Sequence, residues 1–323
     1  MADDTPPAGG TKVASTLAGL VIGGGAAASV LRALLRDRDE IGEAVGDSSV
    51  GWLVLGLVLA AAGMTLMALP WRRALNLMGA DLPWAQVLAR YFAGEIGKYL
   101  PGGIWPIVGR AELARRYGVA RTSAYGSVVL SLLALYLAGM LVAGVGLPIT
   151  PAGDDGVAPA AVLLLLPLGL GVLHPLVLRR ALAVVERVTR RAIDLEIPEW
   201  RSSVSLVLLY VPPWLFVGGA TWAVARALDP DARLVPVAAA AVLSWVIGFV
   251  VVPVPGGIGV REAAFVAAAA SLDPGVAATV ALVARALFVT VDAGAAALGS
   301  ATIRRARSRN SATGAPLRRS HRH

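Results

Sequence analysis

The string Pro-Gly-Gly-Ile occurs twice, at 101–104 and 255–258, 154 positions apart and each time inside strongly apolar sequence. Proline removes a backbone donor and glycine weakens helical continuity, so each string breaks a helix. In a bilayer, broken backbone survives only against protein or a water-filled cavity. Matching breaks in corresponding halves of a chain point to a transporter's binding site. The flanks match as well: Tyr91 with Trp245, Gly94 with Gly248 and Pro101 with Pro255. An Arg and a Glu follow each string, Arg110 and Glu112 in the first copy, Arg261 and Glu262 in the second.

The rest of the chain fits a membrane setting. Of 323 residues, 57% are hydrophobic and 15% charged, whereas a soluble chain carries about 25% charged residues. The absence of cysteine excludes disulfides, thiolate metal sites and Cys nucleophiles. His321 and His323 lie in the tail, and His174, beside Pro175, reads as an interfacial residue at a helix end, so no metal site is expected. No nucleotide loop of the G-x-x-x-x-G-K type is present, and no cofactor is expected. A net charge of +8 is better explained by basic membrane edges than by nucleic acid.

A span needs about 20 apolar residues. Six candidates are 13–35, 50–71, 123–147, 157–178, 204–227 and 276–303, with broken re-entrant hairpins at 83–117 and 234–271. The stretch 234–254 is apolar enough to cross alone, so an eight-span count is the alternative. The domain reading is a cytoplasmic segment 1–12, one transmembrane domain 13–303 with halves 13–147 and 157–303, and a basic disordered tail 304–323. The first span is read as uncleaved rather than as a signal peptide. Arginines gather in the tail, in the loop 179–201 and at Arg72, Arg73, Arg115, Arg116 and Arg121, while Asp154 and Asp155 mark the opposite side. The positive-inside rule then places both termini in the cytoplasm of a bacterial inner-membrane protein. Each repeat unit holds three spans, an odd number, so the second copy is inverted. The first hairpin enters from the cytoplasm and the second from outside.

Helices that begin after the breaks offer free N–H groups and a positive dipole end to an anion. Arg110 and Arg261 sit just there, and guanidinium matches phosphate in its planar fork. The candidate substrate-binding set is Arg110, Arg261, Glu262, Glu95, Lys98 and the break glycines Gly102, Gly103, Gly256 and Gly257. Blander readings stand beside it. Glu95 and Lys98 form an i,i+3 pair that neutralises itself, Arg261 and Glu262 pair with each other or with backbone, and Glu112 falls at the cytoplasmic edge. Arg285 and Asp292 share one face of the last span, seven residues apart. Asp292 is read either as a coupling-proton carrier or as a structural partner of Arg285 or Arg261.

Two stretches, Tyr99-Leu100-Pro101-Gly102-Gly103-Ile104 with Gly109-Arg110, and Pro253-Val254-Pro255-Gly256-Gly257-Ile258-Gly259-Val260-Arg261-Glu262, resemble the lysylphosphatidylglycerol synthase transmembrane, flippase-like family. The resemblance covers about 13–303. It implies a domain like the flippase half of the multiple peptide resistance factor, which moves an aminoacylated phospholipid between leaflets while a separate soluble domain synthesises it. The chain ends soon after its last span, with no aminoacyl-transferase domain, so lysyl-lipid is not carried over as the cargo. The expectation is an all-α polytopic flippase, not an enzyme. Its cargo would be an anionic or polyprenyl-phosphate-linked membrane lipid, moved by alternating access at a midplane cavity, with a lipid-synthesising enzyme as candidate partner. The alternatives are a membrane-embedded transferase on a lipid-linked substrate and a scaffold for an envelope glycosyltransferase. No nucleophile–base constellation supports the transferase, although Glu or Asp can act as acid or base.

Overall fold

A computed structural model describes residues 50–99, 105–147, 159–250 and 259–312. The span expected at 13–35 and both Pro-Gly-Gly-Ile strings lie outside them. Every element among the described residues is helical. In chain order they are α1 (Val50–Leu66), α2 (Ala68–Leu77), α3 (Trp84–Glu95), a 3-10 turn (Ile96–Tyr99), α4 (Trp105–Arg115) and α5 (Arg121–Gly146). Then follow α6 (Pro159–Val172), α7 (Pro175–Thr189), α8 (Trp200–Leu228), α9 (Leu234–Val250), α10 (Val260–Ala268) and α11 (Pro274–Ala312).

Among the described residues four helices are long and apolar enough to cross a bilayer, Val50–Leu77, Arg121–Gly146, Trp200–Leu228 and Pro274–Ala295, and the bent pair Leu166–Val172 with Pro175–Thr189 makes a fifth if it is one span. This is a multi-pass membrane protein. In both segments expected as hairpins the described residues form a helix on either side of the Pro-Gly-Gly string, α3 with the 3-10 turn and then α4 in the first, α9 and then α10 in the second.

Two sequence expectations need correction. The span expected at 157–178 stops at Val172, and α7 leaves at a 59° bend. The cause is local: His174 precedes proline and is therefore extended (φ −66°, ψ 135°), and Pro175 opens a new helix at its first turn. The helix-end role expected of His174 is what the fold shows, with Nδ1 accepting from the Leu176 N–H at 3.3 Å. Part of the loop expected at 179–201 is therefore helix. The second correction concerns the tail, because α11 continues to Ala312 and residues 304–312 are helical. No proline or glycine interrupts that stretch.

Small residues set the helix spacing. α1 and α8 run antiparallel, with Gly56 against the Ala220 carbonyl and Gly63 against Phe216 and Pro213. A Cβ on Gly63 would stand 3.0 Å from the Phe216 Cβ, the close approach expected of small residues between membrane helices. α5 joins α8 through the Trp214 indole N–H, which donates to the Leu135 carbonyl at 2.9 Å, and through the Ser131 and Tyr210 hydroxyls. Three sets of helix contacts come in reciprocal pairs. α5 packs on α9 as α11 packs on α3; α4 packs on α5 as α10 packs on α11; α5 meets α8 as α11 meets α1.

Candidate functional site

The two limbs of the first hairpin approach closest at two glycines of the first limb. A Cβ on Gly94 would lie 2.5 Å from the Arg110 Cγ, and one on Gly97 would lie 2.6 Å from the Trp105 carbonyl carbon. Only glycine admits that approach. It brings Arg110 of α4 across α3, where its guanidinium lies 5.3 Å from the Tyr91 ring centre. Its Nε stands 3.7 Å from Glu95 and donates to the Pro106 carbonyl at 3.3 Å.

The second hairpin repeats this device with the glycine and the ring at the matched positions and the arginine three residues nearer the break. A Cβ on Gly248 would lie 3.1 Å from the Arg261 Cβ, and the Arg261 guanidinium stacks 3.3 Å from the Trp245 ring centre. Gly259 takes a left-handed φ of 81° at the start of α10, a conformation natural to glycine. Its N–H donates to Glu262 Oε2 at 2.7 Å, while Glu262 Oε1 pairs with Arg285 of α11.

α11 connects the two. Arg285, Phe288 and Asp292 lie along one face at helical spacing. Arg285 meets hairpin two, Phe288 lies edge-on to Trp245 at 5.1 Å, and Asp292 Oδ2 sits 2.7 Å from Lys98 Nζ of hairpin one. Lys98 is also 3.6 Å from Glu95 and 5.7 Å from the Trp245 ring. Arg110, Lys98 and Asp292 expose only 3%, 8% and 5% of their surface, so these charges are inside the protein. Isolated charges at such depth are costly, and pairing makes them tolerable.

Residues 16–292 match the family model of the lysylphosphatidylglycerol synthase TM region, most of the chain. The chain belongs to that family. No curated protein matches it. Membership of the lysylphosphatidylglycerol synthase TM region family ties the chain to membrane lipid handling.

In this family member the expected residues do not all pair as the sequence suggested. Asp292 pairs with Lys98, and Arg285, expected as its partner, pairs instead with Glu262. Glu95 and Lys98 do pair, but each also reaches beyond its own segment, to Arg110 and Asp292. Glu112 stands apart, bonded to Arg115 at 2.8 Å and to the Tyr125 hydroxyl at 2.9 Å. Those bonds hold its carboxyl below the usual range. Gly102, Gly103, Gly256 and Gly257 lie outside the described residues. The cavity beside Arg261, floored by Thr221 and Ser244, measures about 20 Å³, room for roughly one water. The open midplane chamber expected from the sequence is thus not seen among the described residues.

Trp245 is the residue that sequence reasoning underused. It was visible only as the partner of Tyr91 in the repeat. The signal was its place one helical turn before Gly248, which sets it beneath the arginine that the glycine admits.

Proposed function

We propose that the chain is a lipid flippase of the inner membrane, with both termini cytoplasmic, rather than an enzyme. It moves an anionic or polyprenyl-phosphate-linked lipid between leaflets. One observation carries the reading: Lys98 from the first hairpin and Arg261 from the second both lie against the Trp245 ring, deep in the bundle. Cations from both hairpins thus gather where a lipid head group would have to pass. The cluster holds the cations Lys98, Arg110, Arg261 and Arg285 with the carboxylates Glu95, Glu262 and Asp292.

The ion pairs suggest how a phosphate would be handled. In the resting state Glu95 sits at Arg110, Asp292 at Lys98 and Glu262 at Arg285. An incoming phosphate competes for the same donors, and guanidinium accepts it in bidentate geometry. The narrow cavity then corresponds to a closed state, and transport requires the hairpins to separate toward each leaflet in turn. Acyl chains stay in lipid, and only the head group crosses the protein. The reciprocal packing of α5 on α9 and α11 on α3 supports an inverted repeat, the architecture suited to such alternation.

Purified protein in vesicles containing a trace of fluorescent phosphatidylglycerol tests the reading. Chemical quenching of the outer leaflet reports transfer. Wild-type protein should accelerate transfer, and Arg110→Ala and Arg261→Ala should abolish it while the protein still elutes as a single folded species. Wild-type rates in both variants would remove the phosphate role. A covalently altered lipid without transfer would favour the transferase, and neither result the scaffold.

A further inference from the structure

A second feature lies away from the buried charges and shares no lining residue with them. α5, the end of α2, α7 and the linker to α8 enclose an apolar groove of about 870 Å³. Its walls are Val129 and Leu133 from α5 and Leu178, Leu182 and Val185 from α7. At its polar end stand Arg121, the first residue of α5, and Arg191, just past α7. Neither arginine is within ion-pair distance of a carboxylate among the described residues. The chain turns at Arg190, whose φ of 52° is the only positive value on a non-glycine residue among the described residues. That left-handed turn ends α7 and delivers Arg191 to the groove.

We infer that this groove is a binding site for one anionic glycerophospholipid, its phosphate between Arg121 and Arg191 and an acyl chain along α5. Length supports the assignment. From Arg121 to Leu133 a helix rises about 18 Å, close to one leaflet, or half of a hydrocarbon core about 30 Å thick. α7 supports it too. None of its residues is buried, Leu178, Leu182 and Val185 face the groove, and Arg180 and Arg187 occupy the opposite side of the helix. Such a helix, bent 59° from α6, has the character of one lying in the membrane interface. Charge selects the lipid, because two arginines at the surface favour a head group of net negative charge.

The test uses the full chain in phosphatidylcholine vesicles doped with photoreactive phosphatidylglycerol or photoreactive phosphatidylcholine, each with its diazirine on the acyl chain. Crosslinked peptides are mapped by mass spectrometry. The phosphatidylglycerol probe should label the stretches 129–133 and 178–185 at least roughly fivefold more than the phosphatidylcholine probe. Arg121→Ala/Arg191→Ala should erase that preference, and Arg191→Ala alone, in the exposed linker, should reduce it if the double variant does not fold. Leu133→Trp should lower labelling by either probe. Equal labelling by the two probes, or a preference that survives loss of the arginines, would overturn the assignment. Because crosslinking needs no transport, failure here leaves the flippase reading standing, and the reverse holds as well.

Discussion

Lys98 Nζ and Asp292 Oδ2 meet at 2.7 Å, tying the 3-10 turn of the first hairpin to the last span. Both residues are almost fully buried. Removing one takes a 2.7 Å ion-pair partner from the other, with Lys98 keeping its longer contact to Glu95; breaking a buried pair costs up to about 3–5 kcal/mol, whereas replacing both partners by apolar residues is often neutral. Lys98→Met and Asp292→Leu should each lower the unfolding temperature of detergent-purified protein sharply, and the double variant should regain most of the loss. Losses that simply add would show that the two residues do not act as a pair.

The two hairpin glycines should differ in tolerance. A Cβ at position 94 meets Arg110 at 2.5 Å and the Arg110 backbone N at 3.0 Å, while one at 248 meets Arg261 only at 3.1 Å. Overpacking of this kind costs about 1–3 kcal/mol. Gly94→Ala should therefore destabilise more than Gly248→Ala, with thermal unfolding as the measurement. Equal or reversed effects would contradict the packing described.

Glu262 does two jobs that substitutions can separate. Glu262→Gln keeps an acceptor for the Gly259 N–H and loses the ion pair with Arg285, while Glu262→Ala loses both. Loss of a helix-start acceptor costs about 1 kcal/mol, so the Ala variant should be the less stable by about that amount. Identical unfolding curves would remove the capping role.

Trp245 is exchangeable in steps. A phenylalanine keeps a ring face for Arg261 with weaker attraction, and a leucine keeps only bulk; the stacking itself is worth about 0.5–2 kcal/mol. In the vesicle assay the rate of lipid transfer should fall in the order wild type, Trp245→Phe, Trp245→Leu. An unchanged rate in the leucine variant would take Trp245 out of the transport path.

Much of the fold was legible because lipid makes composition decisive. The all-helical class and the hairpin segments on either side of each Pro-Gly-Gly string follow from apolar runs and helix breakers. The bend at His174 was less visible, because the apolar run continues through Leu178 and only the single Pro175 marks the break. At the site, the sequence pointed to the charged residues but not to their partners. Lys98 and Asp292 are 194 positions apart, and no periodicity relates residues on different helices. The groove between α5 and α7 is hidden for the same reason, since the pattern of 179–201 reads as loop and gives no partner for α5. Trp245 was legible as half of a matched pair, and what it touches depends on how closely Gly248 lets the return limb approach.

α11 touches the first hairpin through Asp292 and the second through Arg285, about 10 Å apart along one uninterrupted helix. A helix of that length behaves as a stiff beam and does not stretch to absorb a displacement at one end. If the hairpins rock as the proposed transport cycle requires, moving either one must drag the other in lockstep, as on a seesaw, or else tear one of the two ion pairs. A pathway that must never be open at both faces needs just such a constraint.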